Sequence, residues 1–360
     1  MKITYIADAS SVHVVEWIKF FIRKGYEISV ITDVDARIEG AKVCYIGDCL
    51  PSVRIPFLSA TYQIFAKVKK IQSLLQRIKP DIIHAHFATN YGYLAANTGF
   101  HPYVLTCHGS DILVDLNRSR IEHHFVKTAL QRADYISLPS EQMQRVIQEC
   151  GIPSERIFRI QYGVDTEAFP FSKKIGKESV ILSTRTLTYK YRIDVLVEAA
   201  KRVIEQNKPV QFQILGDGVD KEQFEELAYG KYHLNKELNF TGSVDHDDIT
   251  RYFQNAHIYV STSPSDGISI SLLEAFASGC YPIVPDIPSN NLLRDAGYQM
   301  ELFRVNNSLS LAKSIVKVVD SLAHQKEALR KNRRLVEKEF SRHKNLERFN
   351  HVYEKYAQLL

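Results

Sequence analysis

Between Ser263 and Gly279 the chain reads SPSDGISISLLEAFASG, a loop holding Gly267 that runs directly into a helix carrying Glu274. Glycine lets backbone come close to a ligand, and the unpaired amides of a helix's first turn attract anions. The amides of Gly267, Ile268 and Ser269, continuing to Ser271, therefore suit a diphosphate. Glu274 can accept hydrogen bonds from ribose hydroxyls, and Asp266, just ahead of the amides, can face a sugar hydroxyl. Taken alone, the same residues read equally well as a capped helix with a buried acid.

Arg185 and Lys190 lie in STRTLTYKYRIDVLVEA, just past a β-branched run that reads as a strand. Two fixed cations beside a leaving diphosphate would stabilise the charge that builds as its bond to a sugar breaks, with no metal needed. Upstream, TCHGSD puts His108, Gly109 and Asp111 at the end of another such run. A histidine there can hydrogen-bond a hydroxyl, and a glycine admits close approach. His84 and His86 alternate in HAHF, and His86 is nearer the end of its run. His13 stands beside ASSV where a helix opens, within reach of an acceptor and equally suited to capping. Two shorter motifs carry little weight. Asp33 and Asp35 spell the metal-holding D-x-D without a second carboxylate cluster, and Gly216 and Gly218 give G-x-G without the third glycine of a dinucleotide fingerprint.

The elements that must position these residues alternate regularly. KITYIAD, EISVIT, DIIHAH, PYVLTCHG and DYISLPS read as buried strands separated by helical patterns, the first of them a helix from about His13 to Lys24 that Gly25 ends. From Val180 the alternation restarts with VILSTR, VQFQILGDG, LNFTGSV, HIYVSTS and CYPIVPD. The fold class is α/β, with two doubly wound parallel sheets in tandem, and ligands of such sheets bind beyond the carboxyl ends of the strands. The expected domains are 1–168 and 178–340, joined through FPFSKKIGKES with its Pro170 and Gly176. The last stretch, 341–360, reads as a helix whose stripe of Leu346, Phe349, Tyr353, Tyr356 and Leu360 needs a surface, and the first domain is a candidate.

Composition bounds the rest. At 360 residues the chain exceeds one ordinary core. No apolar run approaches the roughly 20 residues that span a bilayer, and MKITYIADAS reads as a strand rather than a secretory signal, so a cytoplasmic location is expected. The five cysteines, Cys44, Cys49, Cys107, Cys150 and Cys280, are scattered, odd in number and without a C-x-x-C pair, as reduced thiols would be. With a net charge of only +5, no nucleic-acid partner is expected. The charge is nonetheless uneven. Arg54, Lys67, Lys69, Lys70, Arg77 and Lys79 occur between Cys49 and Pro80 without one acid, and Ile64, Val68, Ile71, Leu75 and Ile78 recur at helical spacing. That makes 54–79 an amphipathic helix with a basic outer face, able to dock at the inner face of a membrane or to remain simply solvated.

Together, ASSVHVVEW, PDIIHAHF, VLTCHGSD, RADYISLPS, YGVDTEAF, STRTLTYKYRIDVL, ILGDG, FTGSV and SDGISISLLEAFASG resemble, in order and spacing, glycosyltransferase family 4 over nearly the whole chain. The resemblance implies the GT-B fold, two Rossmann-like domains facing a central cleft, and transfer of a sugar from a UDP- or GDP-sugar to a glycan or lipid-linked acceptor, as in surface polysaccharide assembly. It implies that Arg185 and Lys190 bind the donor diphosphate, that Glu274 contacts the ribose and that His108 lies near the transferred sugar. Gly267, Ile268 and Ser269 would offer backbone to phosphate, with Gly216 and Ser243 lining the nucleotide pocket. His13, His86 and Asp111 would stand on the acceptor side. Asp266 fills the first acidic place of the family's E-x7-E, where glutamate is usual, and Tyr191 stands where glycine is common. The implied reaction retains configuration, uses no cofactor and no metal, and treats the nucleotide-sugar as substrate. Two rival expectations share the fold: a nucleotide-sugar epimerase, and a non-catalytic scaffold that binds sugar nucleotides.

Overall fold

A computed structural model describes residues 1–47, 56–172, 174 and 178–357. Cys49, Arg54, Gly176 and Leu360, with the side chain of Tyr356, lie outside the described residues. The chain forms two compact units, one of Met1–Tyr162 with Asn345–Leu360 and one of Gly163–Lys344.

The first unit is built on a parallel sheet of β1 (Lys2–Ile6), β2 (Glu27–Thr32), β3 (Ala41–Tyr45), β4 (Ile82–His86), β5 (Tyr103–Thr106), β6 (Tyr135–Leu138) and β7 (Ile157–Arg159), in the order β3-β2-β1-β4-β5-β6-β7. The continuous apolar runs are the central strands, and β4 is buried at every residue. The helix Val12–Arg23 buries Val14, Trp17, Ile18, Phe20 and Phe21, and Gly25 follows it at φ +84°, the left-handed conformation that closes a helix.

The second unit holds β8 (Ser179–Ser183), β9 (Val210–Leu215), β10 (Leu238–Gly242), β11 (Ile258–Val260), β12 (Tyr281–Pro285) and β13 (Glu301–Phe303), parallel in the order β10-β9-β8-β11-β12-β13. Each sheet reverses its strand order beside its first strand, so the loops after β1 and β4, and those after β8 and β11, meet at a switch point. The loops after β8 and β11 carry Arg185, Lys190 and Asp266 to Ser269, while His86 ends β4 and His108, Gly109 and Asp111 follow β5.

The domain boundary differs from the expected 168/178. Residues from Gly163 belong to the second unit because hydrogen bonds hold them there. The Val164 amide donates to the Phe340 carbonyl at 2.8 Å, and the Arg342 amide donates to Val164 at 2.9 Å. Arg333 donates to the carbonyls of Thr166 (2.8 Å), Phe169 (2.6 Å) and Ala277 (2.9 Å). A run without periodicity is here strapped by backbone contacts that leave no apolar pattern.

The helix Arg342–Ala357 leaves the second unit and packs on the first from Asn345 onward. Leu346, Phe349, Val352 and Tyr353 are buried, with Phe349 edge-on to Trp17 at 4.7 Å and Tyr353 edge-on to Phe21 at 4.9 Å.

Candidate active site

In the second unit Arg185 is the hub. It follows β8 by two residues, and its guanidinium reaches across to the loop after β11. Nε donates to Ser261 Oγ at 3.2 Å, and Nη2 donates both to the Asp266 carboxylate and to Ser269 Oγ at 2.8 Å. A guanidinium has five N–H donors in a fixed fork. The two on Nη1 have no partner among the described residues. Burial works against the charge, but Asp266 and the neighbouring tyrosines outweigh it and raise the pKa further, so the group is a permanent cation. The expectation that Asp266 faces a sugar hydroxyl is therefore modified: its carboxylate is already engaged by Arg185. Ser269 is the residue before the helix Ile270–Ser278, and its side chain accepts from Arg185 instead of capping the helix.

Lys190 is exposed on a single tight turn, Tyr189–Tyr191, and forms no ion pair among the described residues. Its Nζ lies 5.6 Å from the Tyr191 ring centre and Arg185 Cζ lies 5.5 Å from the same ring, so one aromatic ring is shared by both cations. Thr262 Oγ1 fixes the turn by donating to the Tyr191 carbonyl at 2.7 Å. Ser261, Thr262 and the ring of Tyr191 were not among the expected site residues. The signal for Ser261 and Thr262 was the STS that ends HIYVSTS, hydroxyls at the carboxyl end of a strand.

Glu274 is buried in the second turn of Ile270–Ser278 and has no hydrogen-bond partner among the described residues. Burial raises its pKa to about 7 despite the attraction of Arg342 and Arg185. Gly267 and Ile268 occupy the loop between Asp266 and the helix, Gly267 buried and Ile268 half-buried.

Gly216 and Ser243 stand on the loops after β9 and β10. Gly216, at φ +128°, lies against the Arg185 backbone, where an added Cβ would stand 2.6 Å from the Arg185 carbonyl oxygen. One added at Gly218 would stand 2.3 Å from the Leu187 oxygen. The G-x-G thus lets the loop after β9 close on the loop that carries Arg185. Ser243 lines a cavity of about 500 Å³ with Gln213, Asp245 and Arg251.

In the first unit, the ends of β4 and β5 bring His86 and His108 together, with His86 Nδ1 3.1 Å from His108 Nε2. His86 is buried; His108 is exposed overall, although its contact with His86 is partly buried. Burial lowers both pKa values, Asp111 opposing the effect at His108, so the neutral rings prevail near neutrality. His84 is spoken for, pairing with Tyr353 Oη at 2.5 Å and Thr106 Oγ1 at 2.7 Å. Asp111 is fully buried, and its carboxylate accepts from the amides of Ala88 (2.9 Å), His108 (3.1 Å), Gly109 (2.9 Å) and Ile112 (3.1 Å). That corrects its reading as an acceptor ligand: the carboxylate is committed to backbone and stitches the loop after β4 to the loop after β5. His13 is the second residue of Val12–Arg23, half-buried with its ring 5.5 Å from Tyr162, so it is no cap.

The basic segment is a helix, Pro56–Ile78, with Val68, Ile71 and Leu75 buried as expected. Its basic face is narrower than the composition suggests. Lys67 pairs with Asp33 at 2.9 Å and Lys70 donates to the Ile46 carbonyl at 3.3 Å, while Tyr62 and Phe65 stand exposed beside Lys69. Asp33, the first acid of the D-x-D, also accepts from Tyr91; burial raises its pKa, and Tyr91 with Lys67 outweighs it to a net lowering. Among the described residues no helix is long and apolar enough to cross a membrane.

Residues 2–140 match the family described as Glycosyl transferase 4-like, and residues 165–336 match Glycosyl transferases group 1. The Escherichia coli UDP-Gal:alpha-D-GlcNAc-diphosphoundecaprenol alpha-1,3-galactosyltransferase is 26% identical over 77% of this chain and 76% of its own. A phosphatidylinositol N-acetylglucosaminyltransferase component of Arabidopsis thaliana is 23% identical over 72% of this chain, and the match spans only 60% of that protein's length. HepE of Anabaena, solved in complex with UDP-glucose, superposes with a TM-score of 0.81 at 16% identity, covering 99% of this chain and 100% of the other. Sucrose-phosphate synthase of Thermosynechococcus elongatus gives a TM-score of 0.80 at 14% identity, covering both chains fully (100% each).

Proposed function

From the premise that the chain belongs to the group 1, family 4-like glycosyltransferases and has their GT-B fold, we propose that it moves a sugar from a UDP-sugar to a lipid-linked glycan intermediate with retention of configuration. The observation that carries this reading is Arg185, a permanent cation fixed by Ser261, Asp266 and Ser269 with its two Nη1 donors left over. The two hydrogens of Nη1 diverge from one nitrogen, so each can meet a different oxygen of a diphosphate. Lys190 and the first-turn amides of Ile270–Ser278 supply further positive potential, and Glu274 accepts from the ribose. UDP is favoured over GDP because HepE was solved with UDP-glucose and the E. coli relative is named for UDP-Gal. The lipid-linked acceptor likewise rests on the name of that relative.

In the proposed reaction the bond from the anomeric carbon to the diphosphate breaks as the acceptor oxygen bonds to that carbon on the same face. A phosphate oxygen takes the acceptor's proton. Arg185 and Lys190 hold the charge left on the diphosphate, which is where fixed cations lower the barrier. His108 hydrogen-bonds the transferred sugar. No metal is required by this scheme, and activity should survive EDTA.

An acceptor on a lipid calls for a membrane surface, and Tyr62, Phe65 and Lys69 supply an exposed aromatic and basic strip on Pro56–Ile78. Vesicles containing anionic lipid should sediment the protein, and Phe65→Ser with Lys69→Glu should release it.

The deciding experiment is Arg185→Ala assayed with UDP-sugars and a lipid-diphosphate sugar acceptor. Loss of transfer by about 10²–10³-fold is expected, the scale of removing one charge-stabilising donor. Unchanged transfer would overturn the proposal. Release of an epimerised free sugar without acceptor would instead support an epimerase.

A further inference from the structure

The two histidines at the ends of β4 and β5 constrain each other's protons. The pair at 3.1 Å joins His86 Nδ1 to His108 Nε2, so one of these two nitrogens carries the shared hydrogen and the other is bare. Three observations decide which. His86 is buried, and its other nitrogen, Nε2, has no hydrogen-bond partner among the described residues. Both rings have pKa values below the usual histidine value, so above neutral pH each is uncharged and has one hydrogen to place. The contact is also built rather than accidental. Phe87, the residue after His86, sits at φ 76°, a conformation a bulky side chain rarely adopts, while Asp111 ties the Ala88 amide to those of His108 and Gly109.

A bare ring nitrogen buried without a partner loses only an acceptor's hydration, whereas a buried N–H without one is the rarer state in folded proteins. The hydrogen of His86 is therefore on Nδ1, where it is donated to His108. His108 Nε2 must then be bare, and its single hydrogen moves to Nδ1. No partner takes His108 Nδ1 among the described residues. We infer that His86 is a positioning residue that fixes His108 as the Nδ1–H tautomer, so that His108 offers its ligand a hydrogen-bond donor and never an acceptor.

The ligand group that fits is an oxygen with a free lone pair, a sugar hydroxyl or a phosphate oxygen. A role of His108 as general base toward a hydroxyl is excluded by the same argument, because the exposed nitrogen already carries its hydrogen. The assignment of that ligand to a sugar nucleotide rests on the function proposed above; the tautomer does not.

The test separates the two. In protein labelled with ¹⁵N-histidine, long-range ¹H–¹⁵N spectra at pH 8 should show His108 with a protonated Nδ1 and a bare Nε2. In His86→Leu the shared hydrogen bond is gone, and His108 should become a mixture of tautomers. In His86→Asn, whose side-chain amide can donate from the place of Nδ1, the wild-type pattern should return. A wild-type His108 protonated on Nε2 would overturn the inference and put the His86 hydrogen on its own buried Nε2. The same pattern in all three proteins would overturn it too. If UDP-sugar turnover is present, His86→Leu should lower kcat about tenfold with little change in KM, and His86→Asn should recover it, the scale of one hydrogen bond. Correct tautomers without any turnover would leave the inference standing and sink the proposed function instead.

Discussion

Arg185 serves two sets of oxygens with one guanidinium. Three of its donors hold the Asp266 loop, and two remain for a ligand. Removing the Asp266 charge should therefore leave a less neutralised cation. Asp266→Asn is expected to bind free UDP at least as tightly as the wild type by calorimetry, while transfer falls because the guanidinium is less firmly aimed. Weaker UDP binding would show that the carboxylate aids the diphosphate rather than opposing it. Glu274 gives a second prediction, with a definite sign. Its folded pKa of about 7 lies above the ordinary glutamate value of 4.5, so the folded state binds more protons than the unfolded state between those values. Stability from this group is present below pH 4.5 and is lost as pH rises through 7. Glu274→Gln should then stabilise the free protein at pH 8, by on the order of 2 kcal/mol in denaturant titrations. A ribose that donates to the carboxylate favours its charged form. UDP binding should thus release a proton near pH 7, measurable as a dependence of binding enthalpy on the buffer's ionisation enthalpy, and Glu274→Gln should abolish that dependence.

At the scale of elements, the positions of these side chains are set by loops that glycine allows to touch. Gly216→Ala adds a methyl 2.6 Å from the Arg185 carbonyl at φ +128°, and neither backbone has an easy retreat. The expected result is a loss of about 1–3 kcal/mol together with weaker UDP binding, since the displaced loop is the one that carries Arg185. An unchanged affinity would separate Gly216 from the site. The sequence made the apolar central strands readable because burial on both faces leaves an unbroken run. It hid β3, whose residues are all half-buried or exposed, and β7 and β13, which have three residues each with only one of them buried. Residue types at strand ends were readable in the same way, which is why Arg185, Glu274, His86 and His108 could be named. What the sequence could not show was commitment. Asp111 and Asp266 look like free acids in a string of letters, and each is satisfied by partners between 1 and 81 residues away. Lys67 looks like part of a basic face until Asp33, 34 residues upstream, is placed beside it.

At the scale of the molecule, the chain enters the second unit once and returns, so the first unit is completed by residues that follow the second unit in sequence. The return is sealed by a buried hydrogen-bond chain. Tyr5 Oη lies 3.0 Å from Tyr353 Oη, which lies 2.5 Å from His84 Nδ1, while His84 Nε2 meets Thr106 Oγ1 at 2.7 Å. Burial lowers the His84 pKa well below its usual value, so the ring is neutral and has one hydrogen to give. Thr106 can pass its own hydroxyl hydrogen to Ser137 Oγ at 3.3 Å, which leaves His84 Nε2–H as the donor to Thr106 and Nδ1 as the acceptor from Tyr353. One hydroxyl thus ties the last helix to β1 and to β4 at once. Tyr353→Phe keeps the apolar contacts with Phe21 and Phe349 but strands a buried imidazole nitrogen and the Tyr5 hydroxyl. Leaving such groups unpaired costs about 1–3 kcal/mol. Because the partners all lie in the first unit, hydrogen exchange should quicken in Arg342–Ala357 and in β1 and β4, while β8 to β12 keep their wild-type rates. Uniform acceleration through both sheets would mean that the molecule opens as one cooperative body, and the clasp would then stabilise the whole rather than the half it closes.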